Sequence, residues 1–393
     1  MNLDKAKIQV AKIIDEYIGR LVIALYRFWG CKHPTDTRSK ILFIKFWGIG
    51  SIILSEPAIR WLREQHPHAE IHYLTLQSNT EIFRFMPAVS KVYTLPFGNL
   101  LSFVVRCLLI VRALRRENYC LIVDGEFFVN CSAIMARLVG ANQIVGFARH
   151  KSAKKHLLDL TVPFRDDLHT SKQFLNLVQK RVNLTEPPPV PRLFLKENGA
   201  LNSLVDARRP CIVMNINASP LATERRWPRE RFTELARALL DRFEFDVILI
   251  GTKSEMDYVK PLASAFDHSH RFENLTGQLN LTELAHIIKH ASLFISNDSG
   301  PIHLASAFRV PVVGFYGPET PVRYGPLSPR KLVFYRDLWC SPCMSVENAK
   351  TVRCINNLMC MKHIETEDVI AEVSRFIENR VRIPLKKRVL ADA

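Results

Sequence analysis

The 393-residue sequence lacks any uninterrupted apolar run of 18 residues, so a membrane-spanning helix is not expected. A signal peptide is not expected either, because the apolar stretch at 21–26 is short, Asp15 and Glu16 precede it, and no small-residue cleavage site follows. Nine cysteines are too few and too dispersed for a disulfide scaffold, which favours a reducing cytoplasm. With 48% apolar and 23% charged residues, the composition excludes a disordered, collagenous or coiled-coil chain.

Acidic residues are scarce relative to basic ones. The chain has 54 Lys and Arg against 38 Asp and Glu, a formal net charge of +16. This excess indicates a polyanionic partner, either nucleic acid, an anionic membrane surface or a phosphorylated substrate. Because no recognised nucleic-acid-binding motif is present, we do not expect a nucleic-acid partner.

Residues 1–37 form a predicted N-terminal extension. Apolar residues recur at helical spacing from Val10 to Trp29, which predicts an amphipathic helix. This helix either packs on the body of the protein or lies on a membrane surface. We expect a cytoplasmic protein that attaches peripherally to the inner membrane face through residues 1–30 and its basic surface.

Strand and helix patterns alternate through the rest of the chain. Apolar runs predict strands at 41–47, 70–76, 91–95, 119–124, 143–147, 211–217, 246–251, 293–297 and 310–317. Helical periodicity is found at 52–65, 99–116, 130–140, 229–243, 253–265, 281–290, 300–308 and about 365–379. The alternation predicts an α/β protein with two Rossmann-like domains that face each other across a cleft.

Four prolines within 186–191 predict a stiff linker at 187–191. It separates a first domain at 38–186 from a second at 192–363. A C-terminal helix and a basic tail occupy 364–393.

The clearest local pattern joins a strand end to a helix start at 296–305. Ser299 is a plausible N-cap, and Gly300 lets the backbone approach a ligand. Free N–H groups at the start of a helix suit a phosphate. Asp298 is placed either to bind a ribose or to hold neighbouring backbone, and the alternative for the whole pattern is a well-capped helix without a ligand.

Charged residues follow two other strands of the second domain. Arg225 and Arg226 precede Trp227-Pro228, a position from which arginines grip a diphosphate with bidentate hydrogen bonds. Glu255 begins the helix that follows the strand at 246–251. It either contacts a ribose or base, or complements the helix dipole.

The order of these motifs resembles glycosyltransferase family 9, whose best-known members are the ADP-heptose:lipopolysaccharide heptosyltransferases. The segments ERRWP, LIGTKSE, NLTGQLNLTELAHII and SNDSGPIHLASAFRVPVVGFYGP follow one another over 211–327, and the resemblance extends from about Lys40 to Ile377. It implies a GT-B fold and inverting, metal-independent transfer from a nucleotide-diphospho-sugar such as ADP-heptose. The implied acceptor is a lipopolysaccharide or related phosphorylated glycolipid, and no cofactor is implied.

The resemblance also implies roles for single residues of the second, donor-binding domain. The family's phosphate-binding Lys falls on Arg225, and its nucleotide-contacting Glu falls on Glu255. Its phosphate loop falls on a run of three residues with a histidine one turn further on, namely Asp298, Ser299, Gly300 and His303.

The first, acceptor-side domain departs from the family at its catalytic base. Gly48 and Gly50 keep the tight acceptor-side loop, but Ser51 stands where the family has the Asp that deprotonates the acceptor. A serine hydroxyl cannot take a proton near neutral pH without a partner. A relative that only binds nucleotide-sugar or glycan is therefore the alternative to an active enzyme.

Two carboxylates are candidates to replace the missing base. Glu126 follows the strand at 119–124 and lies beside Phe127 and Phe128, and apolar surroundings raise the pKa of a carboxyl group, which suits a base. Its alternative role is to cap the next helix. Glu56 is the weaker candidate because it lies about 140° round the helix from Ser51 and is placed to complement the helix dipole.

Two further segments are rich in arginine and lysine. The stretch 137–165 contains six Lys or Arg and one acid, which suits a phosphorylated glycolipid or a solvated loop. The helix at 99–116 combines apolar residues with four arginines, so it either packs on the sheet or lies on anionic lipid.

Four cysteines lie within 21 residues, at Cys340, Cys343, Cys354 and Cys360. The spacing is compatible with structural zinc, with a labile disulfide, or with unligated thiols in a packed loop.

Overall fold

Continuous apolar runs become buried strands of two parallel sheets in the computed structural model of this protein. The structure describes residues 39–96, 100–127, 129–148, 152–196, 209–219, 222–345, 352–381 and 383–385, with single residues 15, 17, 19, 20, 23, 199 and 201. The chain divides into two units between Phe194 and Leu195.

The described part of the first unit contains one six-stranded sheet. Its strands are β1 Lys40–Ile44, β2 Glu70–Leu76, β3 Lys91–Leu95, β4 Tyr119–Asp124, β5 Ala141–Phe147 and β6 Leu160–Val162. The α-helices are α1 Ile49–Gln65, α2 Leu100–Arg115, α3 Asn130–Val139 and α4 Thr170–Gln179. The strand order β3-β2-β1-β4-β5-β6 is that of a Rossmann sheet, which binds ligands outside the carboxyl ends of β1 and β4.

The second unit repeats this order. Its strands are β7 Cys211–Asn215, β8 Asp246–Leu249, β9 Phe272–Asn274, β10 Leu293–Asn297, β11 Val312–Tyr316 and β12 Lys331–Tyr335. The α-helices are α5 Arg229–Arg242, α6 Met256–Ser264, α7 Leu281–His290, α8 Gly300–Ala307, α9 Pro321–Tyr324, α10 Met359–Lys362 and α11 Thr366–Phe376. Because β7 lies between β8 and β10, its expected ligand position is at the carboxyl ends of β7 and β10.

The predicted α/β class with two Rossmann-like domains is confirmed. The sequence patterns did not predict strands β6, β9 and β12 or helix α4. The first two strands have three residues each, and β12 is largely half-buried, so none carries a long apolar run.

The segment around the Pro-rich run 187–191 is hydrogen-bonded to the first unit. The backbone N–H of Arg192 donates to Glu56 Oε2 at 2.7 Å. The backbone N–H of Phe194 donates to the carbonyl oxygen of Phe85 at 2.9 Å. These bonds fix the chain up to the boundary between the units.

Most of the extension 1–37 lies outside the described residues, as does the tail beyond Leu385. Among the described residues of the extension, Asp15 and Ile23 pack on the first unit, whereas Tyr17 and Arg20 are exposed. Ile23 is buried in the core of that unit, and the Asp15 carboxylate accepts from the backbone N–H groups of Asn130 and Cys131 at 2.8 and 2.6 Å. These two residues correspond to the first of the two predicted alternatives, packing on the body of the protein. No helix among the described residues has the length and apolar character needed to cross a membrane.

Candidate active site

A buried carboxylate lies at the carboxyl ends of β1 and β4. Glu126 follows β4 by two residues and is 3% exposed. Its Oε1 accepts hydrogen bonds from Lys45 Nζ at 3.0 Å and from the backbone N–H groups of Phe46 and Trp47 at 2.6 and 3.1 Å. Glu126 thus holds the turn that leads into the predicted acceptor-side loop.

A second buried ion pair, Lys154 with Asp124, contacts the backbone of Glu126. Lys154 is fully buried, and its Nζ lies 2.8 Å from Asp124 Oδ2 and donates to the carbonyl oxygen of Glu126. Burial raises the pKa of Asp124, and the charge of Lys154 opposes that shift. Burial also lowers the pKa of Lys45, while Glu126 opposes that change. Two lysines and two carboxylates therefore form one buried network.

The surroundings of Glu126 differ from the expected apolar ones. Phe127 does pack nearby, but its ring faces the Lys45 ammonium at 5.1 Å, and hydrogen-bond donors surround Glu126 Oε1. Phe128 lies outside the described residues. Lys45 was not predicted as a site residue, although it is the one charge in the apolar run at 41–47.

The predicted acceptor-side loop lies next to Glu126. Gly48 has φ of +82°, a conformation that favours glycine, and it precedes the first turn of α1, which includes Gly50 and Ser51. Ser51 is partly exposed. Since Glu126 binds the two residues before Gly48, the structure brings the predicted base and the glycine loop together.

Glu56 is held elsewhere on α1. Its Oε1 accepts from Arg60 Nε at 3.1 Å and its Oε2 from the backbone N–H of Arg192. Burial raises the pKa of Glu56, and these two donors oppose the shift. The contacts give Glu56 a role in anchoring the segment before the second unit.

The basic stretch 137–165 offers fewer free cations than its composition predicts. Lys154 is buried in the network, so its expected contribution to a glycolipid surface is wrong. Arg137 pairs with Asp159 at 2.8 Å. These two side chains are already engaged within the first unit.

In the second unit, Arg225 and Asp298 form a buried ion pair. Arg225 Nη1 donates to Asp298 Oδ2 at 2.8 Å, and the two residues are 7% and 2% exposed. Among the described residues, Arg225 Nε is buried without a hydrogen-bond partner. An unpaired guanidinium donor at the ligand edge of the sheet suits an anion.

Asparagines at strand ends organise the same edge, and the sequence analysis missed them. Asn297 ends β10, and its Oδ1 accepts from the backbone N–H of Trp227 at 2.9 Å, which positions the ERRWP segment. Asn215 ends β7, and its Nδ2 donates to Ser299 Oγ at 3.0 Å. The sequence signal that could have identified these two asparagines is a polar residue at the end of each apolar run.

Helix α8 begins at this edge. Ser299 is its N-cap residue, as predicted, but makes no side-chain cap hydrogen bond, because its hydroxyl bonds to Asn215 and Ser296 instead. The N–H groups that begin at Gly300 are thus not capped by Ser299, and such groups bind phosphate. His303 lies buried one turn into the helix, with its ring centroid 6.5 Å from that of Tyr324.

Glu255 closes a capping box with Thr252 at the start of its helix, a role that neither of its two predicted alternatives named. Its Oε2 accepts from the backbone N–H and hydroxyl of Thr252 at 2.8 and 2.9 Å. Arg226 stacks on Tyr258 at 4.0 Å, and burial lowers its pKa. These contacts fix the side-chain conformations of Glu255 and Arg226.

Cys340, Cys343, Cys354 and Cys360 are free thiols. In the described part of the chain, no group of three or more metal-binding side chains could hold a metal ion. The backbone N–H of Leu358 donates to Cys354 Sγ at 3.1 Å, and burial raises the pKa of Cys360 to about 11. Cys360 lies in α10, and the three alternatives for the four cysteines stay predictions.

Comparison with known proteins supports the predicted family. The model of glycosyltransferase family 9 (heptosyltransferase) matches residues 108–352. The chain is 24% identical over 311 residues to lipooligosaccharide heptosyltransferase 2 of Haemophilus ducreyi, which covers 75% of this chain and 88% of that protein.

Two solved structures resemble the chain in fold. The family 9 glycosyl transferase of Veillonella parvula has a TM-score of 0.72 at 19% identity, covering 86% of this chain and 97% of its own. The ADP-heptose lipopolysaccharide heptosyltransferase II of Escherichia coli has a TM-score of 0.68 at 20% identity, covering 86% and 98%. The predicted GT-B fold is confirmed by these likenesses.

Proposed function

The chain belongs to glycosyltransferase family 9, and from this premise we propose that it transfers a heptose from ADP-heptose to a lipopolysaccharide-type acceptor. The names of the two heptosyltransferases it resembles support the sugar, the nucleotide and the acceptor class. The observation that carries the proposal is the buried Arg225, whose Nε lacks a partner among the described residues and which pairs with Asp298 just before α8.

The second unit is proposed to hold the donor by its diphosphate. Arg225 would bind one phosphate through its guanidinium, and the N–H groups at the start of α8 would bind the other. Asp298 keeps the guanidinium in place through its 2.8 Å contact. When the diphosphate leaves, both groups stabilise its growing negative charge, so this step calls for no metal or cofactor.

The first unit is proposed to supply the base. The acceptor hydroxyl oxygen attacks the anomeric carbon, the bond from that carbon to the diphosphate breaks, and the configuration inverts. ADP leaves with the bonding electron pair, and the acceptor proton passes to Glu126. All three hydrogen bonds to Glu126 fall on Oε1, so we assign the proton to Oε2.

The test replaces Glu126 by Gln, which keeps the shape and the acceptor for the Phe46 and Trp47 N–H groups. Loss of a general base typically lowers the rate by about 10²–10⁴-fold. We expect that loss in sugar transfer, while ADP binding measured by calorimetry is unchanged. Glu56→Gln is the matched control, since Glu56 is also a buried carboxylate of the first unit.

A second variant guards against simple unfolding. Ser51→Asp restores the family residue, and in the Glu126→Gln background it should recover part of the turnover. Full turnover in Glu126→Gln would remove Glu126 as the base. A wild-type protein that binds ADP-heptose but never transfers it would instead establish the binding-only alternative.

A further inference from the structure

Helix α2, Leu100–Arg115, presents an apolar face to solvent. Val104 and Val105 are 47% and 48% exposed, and Leu108 and Leu109 are 60% and 61% exposed. At about 100° per residue these four side chains occupy one sector of the helix. A contiguous exposed apolar stripe of this kind marks an interaction surface.

The opposite face of α2 accounts for the packing of the helix. Val111 and Leu114 are buried in the core of the first unit, and Phe103, Cys107 and Ile110 pack partly against it. The helix is therefore anchored by one side only. The exposed stripe is not part of the core.

Basic residues continue the stripe toward the end of the helix. Arg112 and Arg115 are exposed, and by helical geometry they fall in the same sector as the four apolar side chains; Arg116, the residue after the helix, is also exposed. Arg106 is exposed at the border of that sector. The sequence from 100 to 116 contains no acidic residue. One face thus changes from aliphatic to cationic along its length.

We propose that α2 docks on an anionic phospholipid bilayer, with Val104, Val105, Leu108 and Leu109 in the acyl region and the arginines at the phosphates. Arginine side chains at the end of an apolar stripe reach the headgroups, and amphipathic helices bind anionic interfaces in this way. A protein partner fits less well, because protein hot spots favour aromatic residues and seldom use Leu or Val.

This surface differs from the one that the sequence suggested. From the sequence, membrane attachment was expected through residues 1–30 and the basic surface, and the helix at 99–116 was expected to pack on the sheet rather than to lie on lipid. The structure shows the packing of its inner face on the first unit and leaves its outer face exposed, which is the face proposed here to meet lipid. The proposed docking does not depend on the transfer reaction.

The test is flotation of the full chain with vesicles of phosphatidylethanolamine and phosphatidylglycerol, which contain no sugar acceptor. The double variant Leu108→Ser/Leu109→Ser should lower the partition coefficient by about tenfold or more. The double variant Arg112→Gln/Arg115→Gln should lower it by about fivefold for each charge at low salt, and much less on phosphatidylcholine vesicles.

Two matched controls lie elsewhere in the first unit. Leu184→Ser changes a leucine that is 54% exposed, and Arg181→Gln changes an exposed arginine. Neither should alter flotation. All four changes in α2 are at exposed positions, so the melting temperature should stay at the wild-type value and folding should not confuse the result.

The depth to which α2 enters the bilayer is measured separately with the variant Leu108→Trp. Brominated acyl chains should quench the added tryptophan beyond the quenching of the wild-type protein. Failure of the wild type to float with anionic vesicles, or unchanged flotation of the leucine variant, would refute the proposal. If the leucine variant instead alters the sedimentation mass and leaves flotation intact, the stripe is an interface between copies. If the protein floats with the vesicles but does not transfer sugar, the docking proposal is supported and the proposed reaction is not.

Discussion

The two units share one strand order but place different chemistry at the same point of the sheet. In the first unit, the ends of β1 and β4 hold two lysines that pair with two carboxylates, namely Lys45, Lys154, Asp124 and Glu126. In the second unit, the ends of β7 and β10 hold Arg225 with an unpartnered Nε among the described residues, beside a helix start that Ser299 does not cap.

The difference shows how one topology serves two tasks. A closed network fixes the backbone around a single carboxylate oxygen and gives that oxygen a lysine partner. An edge with unused donors is prepared for a ligand of opposite charge. The strand order decides where a site forms, and a few residues at the strand ends decide what it does.

The strongest test of the comparison removes Lys154. Lys154→Met leaves Asp124 buried without its counter-charge, so we expect a loss of about 3–5 kcal/mol in the stability of the first unit. Hydrogen exchange followed by mass spectrometry should show lost protection in peptides of the first unit and unchanged protection in the second. Lys155→Met, at the next and less buried position, is the control. Equal loss of hydrogen-exchange protection in both units would mean that the effect of the network is not confined to the first unit.

A smaller effect is expected from Arg225→Ala. The variant removes a charged hydrogen bond to the diphosphate, which should weaken ADP binding by about 1.5–3 kcal/mol. Calorimetry measures the affinity directly. Arg229→Ala, which changes a partly exposed arginine at the start of α5, should have little effect. Unchanged ADP affinity in Arg225→Ala would take Arg225 out of the donor site and weaken the contrast between the units.

The smallest expected effect is a loss of stability of the first unit at acidic pH. Glu117, just before β4, accepts from Lys40 and Lys91, which lower its pKa to about 2 from 4.5. A lowered pKa stabilises the folded state above pH 4.5, and this stabilisation is lost as pH falls from 4.5 toward 2. We expect about 1–2 kcal/mol, since Lys91 is half exposed and solvent screens the pair.

The measurement is urea denaturation of wild type and Glu117→Gln across that pH range, with hydrogen exchange to locate the change. The variant should be less stable at neutral pH and should show a flatter dependence on acid. At the corresponding edge of the second unit, Arg209 and Asp246 lie 3.5 Å apart, and Arg209 is half exposed. The first unit should therefore lose more stability in acid, and a steeper loss in the second would reverse this ranking.

Much of the fold was predictable because buried parallel strands read as continuous apolar runs. The predicted strands at 70–76, 91–95, 119–124 and 293–297 agree with β2, β3, β4 and β10. The edge strand β12 was missed, since its residues are mostly half-buried and its run is short. Apolar sequence patterns detect strands that are buried, and edge strands are less buried than central ones.

The site was predictable where one local motif carries it and not where distant residues combine. Arg225 and Asp298 each stand in a recognisable segment. Lys45 and Glu126 lie 81 residues apart, and no local pattern indicates that they meet. The register that pairs Ile44 with Asp124 brings them together, and that register is a property of the folded sheet.

The hydrogen bonds that close the first unit also set an order of events during synthesis. Arg192 and Phe194, which complete contacts with Glu56 and Phe85, leave the ribosome after the Pro-rich run. A nascent chain that ends before them holds Glu56 without its backbone donor, so we expect these contacts of the first unit to form only when its last residues emerge. Because prolines keep that run extended, these residues search a narrower space for their partners.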